Sequence, residues 1–116
     1  MAINFETNNP LGLLSAFKKE IADGRVLTWA SDKDGDFYHT PPQWRGRAWL
    51  RPSYGLGLLT FNFICNSGIL TTRADYAVYH GRFIESMLTH CDGLFQNAAA
   101  TAMPTNSDII NRTSAA

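Results

Sequence analysis

The hydrophobic and polar positions of this chain change period along its length, and each change marks an element. Ile3 and Phe5 suggest a short extended lead-in. Asn8-Asn9-Pro10 reads as a helix start, with Asn8 or Asn9 as N-cap and Pro10 at the first helical position, where its missing N–H has no partner to lose. Leu13, Leu14, Phe17 and Ile21 then form one apolar stripe, while Lys18, Lys19 and Glu20 face water. Asp23-Gly24 ends the helix.

Strand-forming residues take over in RVLTWAS, residues 25–31, and return at Phe37-Tyr38-His39-Thr40. Between them lies Asp34-Gly35, a hairpin signal because glycine accepts the positive φ that the turn requires. Pro41-Pro42 forces a loop. From Gln43 to Arg51 a strand is expected, with Trp44, Ala48 and Leu50 on one face and Arg45, Arg47, Trp49 and Arg51 on the other. Tyr54-Gly55-Leu56-Gly57 is a turn. Leu58 to Cys65 is the clearest strand, with Leu59, Phe61, Phe63 and Cys65 inward and Thr60 and Asn62 outward. After the turn Asn66-Ser67-Gly68, Ile69 to Thr71 suggest a last short strand.

The longest periodic stretch runs from Arg73 to Phe95. At about 100° per residue, Tyr76, Ala77, His80, Phe83, Ile84, Met87, Leu88, Cys91, Leu94 and Phe95 share one side of a helix. Asp75, Arg82, Glu85, Ser86, Thr89 and Asp92 take the other, so the apolar face is broad enough to cover a sheet. Beyond Phe95 the residues are small and polar, without an apolar period, so 96–116 reads as a flexible tail on a single domain spanning 1–95. The order α-β-β-β-β-α with short links predicts a two-layer α+β fold. Its mostly antiparallel sheet has four or five strands and is covered on one face by the two helices.

Composition narrows the function classes. The 116 residues carry ten basic and ten acidic side chains, a balance that disfavours a dedicated nucleic-acid binder and makes duplex DNA an unexpected partner. No apolar run reaches membrane-spanning length, and MAINFETNNP lacks a basic, apolar leader, so a cytoplasmic address is expected and no membrane partner. Cys65 and Cys91 have no CxxC partner and read as two buried thiols, with a bridge between them open if their elements pack together. Asp32, Asp34 and Asp36 alternate as in a calcium loop, but Phe37 and Gln43 stand where glycine and glutamate belong, so neither a metal nor a cofactor is expected. Asn111-Arg112-Thr113 matches a glycosylation sequon, idle without secretion.

Two groups of side chains carry candidate chemistry. Arg45, Arg47, Trp49 and Arg51 on one strand face suit a small anionic ligand or an acidic patch on a protein partner. The competing use of these arginines is cross-strand pairing with Asp34 and Asp36 and stacking on Trp49. This pattern favours a small binding protein of the accessory, immunity or antitoxin-like kind. Trp49 with Leu58 and Ile64 on the outer face further suggests a homodimer that buries Trp49. The second group is His80 and Arg82 with His39 and Tyr38, enough for a base, an acid and a phosphate-binding cation in a metal-independent hydrolase or ribonuclease. No HExxH, nucleophile elbow or phosphate-cradling glycine loop supports that alternative. The two readings part on one point: a solvent-connected cleft shared by His80 and Arg82 favours the enzyme, and a sealed His80 bonded to a carbonyl weighs against it.

Overall fold

Two helices lie on one face of a six-stranded antiparallel sheet in the computed structural model, which describes residues 1–111. The order is β1 (Ala2–Glu6), α1 (Pro10–Ala22), β2 (Trp29–Ser31), β3 (Phe37–His39), β4 (Ala48–Gly55), β5 (Leu58–Cys65), α2 (Arg73–Cys91), a 3-10 turn (Asp92–Leu94) and β6 (Asn97–Ala100). The fold class is the expected one. The strand count is not, because both ends of the chain enter the sheet.

Local chemistry sets the helices. The Asn9 side chain accepts the Gly12 N–H at 3.1 Å, Pro10 opens α1, and Gly24 at φ +78° follows its end. Thr72 and Asp75 form a reciprocal capping box on α2.

In the sheet the strands run β2-β3-β4-β5-β1-β6. The lead-in is therefore an interior strand: β1 pairs with β5 on one side and β6 on the other, and Ile3 and Phe5 are fully buried. The expected flexible tail is built in as far as Asn111. Thr101 N–H bonds the Ala2 carbonyl at 2.9 Å, and the chain then turns around the start of β1 into the lane that β1 leaves vacant. There Ile109 runs parallel to β5, donating to the Phe63 carbonyl and accepting from Cys65 N–H, each at 2.8 Å. Asn111 straps down the loop before α2 through Ser67, Ile69 and Thr71. Backbone pairing needs no apolar period, so alanines serve as a strand where an open edge waits for them. The sequon at 111–113 and the rest of the expected tail, 112–116, lie outside the described residues.

Three other expectations shift. Residues 42–47 form turns, with Gly46 at φ +79°, and β4 begins only at Ala48. Ile69 to Thr71 form no strand. In α2 the buried side chains are Asp75, Tyr79, His80, Phe83, Ser86, Met87 and Cys91, whereas Ala77 and Leu88 are exposed. The helix is thus rotated toward Asp75 and Tyr79, because each meets a partner from the turn before β4. Arg47 pairs with Asp75, and the Tyr79 hydroxyl donates to the Trp44 carbonyl. Cys65 and Cys91 are both buried and free.

Phe83 sits at the centre of the core. Its ring centroid lies 4.6 Å from Phe61, 4.9 Å from Trp29, 5.2 Å from Phe17, 6.0 Å from Phe37 and 6.1 Å from Phe5. One side chain of α2 thereby touches α1 and four strands. Phe83→Ala is expected to cost about 3–5 kcal/mol through the cavity it leaves. Val78→Ala, at a partly buried position on the flank of the same helix, should cost distinctly less, about 1 kcal/mol. Urea unfolding of the two variants checks this, and similar losses would mean that Phe83 does not hold the layers together.

Candidate functional site

The arginine-rich stretch separates into three environments once folded. Arg47 reaches from the turn to the capping carboxylate of α2 and holds Asp75 in a two-pronged pair, its Nε on Oδ1 and its Nη2 3.0 Å from Oδ2. The Asp75 side chain is 3% exposed. Burial alone would raise its pKa, but Arg47 and the Thr72 N–H and hydroxyl outweigh burial and hold it below the usual carboxylate range. Arg51, on β4, bonds both oxygens of Asp36, at 3.1 and 3.0 Å. That is the expected pairing with the β2–β3 hairpin, made by Asp36 and not Asp34, and Arg51 stays half exposed. Arg45 has no carboxylate within 4 Å among the described residues; its guanidinium lies 5.5 Å over the Tyr38 ring.

Register assembles the outer face. Ala30 opposes Tyr38, Trp49 opposes Ile64, and Ile64 bridges Ile109. The Phe37–Leu50 pair, extended by one residue, brings Tyr38 beside Trp49. Paired residues share a face, so Ala30, Tyr38, Trp49, Ile64 and Ile109 form one transverse row across five lanes of chain. The next row is polar, with Asp36, Arg51 and Asn62 side by side. Both helices pack on the opposite face, and Tyr38, Trp49 and Ile64 are partly exposed. Ile109, from the segment expected to be a tail, completes the row. Leu58 does not belong to it: six residues along β5 from Ile64 is about 20 Å. The surface expected to join Trp49, Leu58 and Ile64 is therefore two separate surfaces.

The histidine group also divides. His80 is 6% exposed; its Nδ1 donates to the Tyr76 carbonyl at 2.6 Å, and its ring stacks on Phe63. Its Nε2 has no hydrogen-bond partner among the described residues. Burial pushes its pKa below the ordinary imidazole value, and the ring is sealed in the core. Arg82 projects from the other side of α2, over the Trp44 ring at 5.8 Å, and its Nη1 donates to His39 Nε2 at 3.2 Å. The guanidinium has only donors, so His39 carries its proton on Nδ1, which bonds the Thr28 carbonyl at 2.7 Å. Tyr38, next in the chain, points to the opposite face. The structure brings His39 and Arg82 together and leaves His80 and Tyr38 apart from them. Burial pushes the Cys91 thiol up to about 11, which disfavours the thiolate at neutral pH. No group of His, Cys, Asp and Glu that could hold a metal occurs among the described residues, and no described helix is long and apolar enough to cross a membrane.

No family model, no curated protein and no solved structure matches this chain.

Arg47→Glu leaves Asp75 buried against a like charge, and a loss of about 3–5 kcal/mol is expected, where Arg45→Glu should cost less than about 1 kcal/mol. Urea titration followed by tryptophan fluorescence distinguishes them; equal stabilities would place Arg47 outside the fold's framework. For His39, burial first and the Arg82 charge second hold the folded pKa below 6.5. Its contribution to stability is therefore present above the unfolded pKa and is lost as pH falls through the folded one. Arg82→Met removes the neighbouring charge and should raise the His39 midpoint in an NMR titration while softening the acid loss of stability. An unmoved midpoint would show that the contact carries no electrostatic weight.

Proposed function

We propose that this protein works by binding a protein partner through the outer face of its sheet, with Trp49 at the centre of the contact, in the manner of an accessory, immunity or antitoxin-like module. The observation that carries this reading is the transverse row Tyr38–Trp49–Ile64–Ile109, an aromatic and aliphatic band on the face that the helices leave open. Arg45 over Tyr38 and the half-exposed Arg51 border it. Tryptophan, tyrosine and arginine grouped in this way are what the energetic centres of protein interfaces are made of.

A lone anionic ligand fits less well. Arg47 is committed to Asp75 and Arg51 to Asp36, so the local charge available to an anion is mainly that of Arg45. The contact area is then largely apolar, which suits a protein surface with a few carboxylates at its rim. The hydrolase reading draws no support from His80, which is bonded to a carbonyl in the core, away from Arg82.

A photoreactive phenylalanine analogue at Tyr38 or Ile109, introduced in the native host, is expected to capture a discrete protein adduct. Trp49→Asp should abolish that adduct, and the same analogue at Lys18, on the exposed side of α1, should not form it. An adduct pattern identical at Lys18, or one that survives Trp49→Asp in a folded protein, would remove the proposal.

A further inference from the structure

The segment that follows β6 differs in chemistry from the rest of the sheet. No residue from 101 to 111 is buried as a whole, Met103 and Ile109 are more than half exposed, and only Ile110 packs on the core. Polar bonds at two points hold this strap in place. At the first, the wholly buried Asp108 carboxylate accepts from Asn62 Nδ2 at 2.8 Å, Phe63 N–H at 3.0 Å and Thr105 N–H at 2.6 Å, and lies 3.3 Å from the Met1 amino group. At the second, Asn111 pairs with Thr71, and its Nδ2 donates to the Ser67 and Ile69 carbonyls, each at 3.0 Å. Ile109 lies between the two anchors. A segment with little buried apolar surface and few bonds opens locally at a fraction of the free energy of global unfolding.

Opening would change the outer face in three ways. The Trp49 row loses Ile109, its fifth lane. Asn62, 7% exposed beneath its bonds to Thr105 and Asp108, is uncovered. Phe63 and Cys65 lose their main-chain partners on the side of β5 that β1 does not reach. An amide and a bare stretch of strand edge then stand where an aliphatic side chain closed the band.

We infer that seating of the 101–111 strap controls partner capture by the sheet face, with Asp108 and Asn111 as positioning residues that act through Ile109; the inference rests on the sheet-face reading above. Only the seated strap completes the row, so the apparent affinity is the intrinsic one scaled by the seated fraction. By linkage, a partner bound on the row holds the strap down by the same factor.

Hydrogen exchange on the isolated protein reads seating, and the photoreactive analogue at Tyr38, in the native host, reads capture. Asn111→Ala removes the two side-chain bonds to the loop before α2, and Asp108→Asn removes the charge facing the Met1 amino group. Asn111→Ala is expected to speed exchange of the Cys65 amide, which bonds the Ile109 carbonyl, at least about tenfold, and Asp108→Asn more, while α2 amides keep their protection. The Tyr38 adduct should fall in the same order. Val78→Ala, which weakens the fold away from the strap, should leave the adduct intact. If Asp108→Asn does not fold, Asn111→Ala carries the test. No adduct in the unchanged protein removes the sheet-face reading and this inference together. An undiminished adduct in a variant whose Cys65 amide has become exposed overturns this inference alone. So does Cys65 protection unmoved in the folded variants, or an equal loss of adduct with Val78→Ala.

Discussion

The two layers of this protein meet on Phe83. Its ring contacts aromatic side chains from α1, β1, β2, β3 and β5, so α2 cannot tilt or turn without opening gaps on several sides at once. Aromatic rings bury large areas and prefer edge-on or tilted contacts, and most of these contacts are of that kind. The remaining core follows from it: Phe17 bridges to Phe37, Phe5 to Phe61, and Trp29 stacks on His39. A close-packed interior transmits such constraints because it holds few voids to absorb them.

Around this apolar centre two buried carboxylates fix what packing alone leaves loose. Asp75 joins the first turn of α2 to the turn before β4, which sets the rotation of the helix about its axis. Asp108, whose side chain is wholly buried, accepts from Phe63 N–H, Asn62 Nδ2 and Thr105 N–H and lies 3.3 Å from the Met1 amino group. Burial would raise its pKa, but those donors outweigh burial and hold it below the ordinary value. Removing either carboxylate would strand several donors away from water, a heavier loss than a surface ion pair represents. Asp108 also joins the backbone bonds of Ile109 and the contacts of Asn111 in holding the segment after β6 on the sheet.

These commitments shape the surface left for function. Two of the three arginines that a strand reading puts on the open face are spent on framework contacts, and the histidine at the helix–sheet junction is walled in. What remains outside is less charged and more aromatic than the sequence suggests. It is a band from Tyr38 to Ile109 on the sheet and a separate aliphatic end around Leu56. A fold whose helices cover one face only leaves the other to water or to a partner, and here that face is neither smooth nor uniformly polar.

Much of this was legible in the sequence. The period of Leu13, Phe17 and Ile21 and the Asn9-Pro10 start define α1, and the alternation of Leu59, Phe61, Phe63 and Cys65 defines β5, because these patterns depend on neighbours one to four residues away. The α+β class follows from their order. The tertiary structure alone decided that Ile3 and Phe5 form an interior strand, since their ladder partners lie nearly sixty residues along the chain. It alone decided that Asn97–Ala100 is a strand, because alanines carry no apolar signal and pair only where β1 offers an edge. The partner of Arg47 was equally hidden. Asp75 reads as a solvated capping residue until the turn at Gly46 brings a guanidinium from 28 residues away, and that long-range pairing, with the Tyr79–Trp44 bond, turned the helix. Local preference is set by covalent neighbours; lane, register and rotation are set by whichever distant groups must satisfy each other once water is gone.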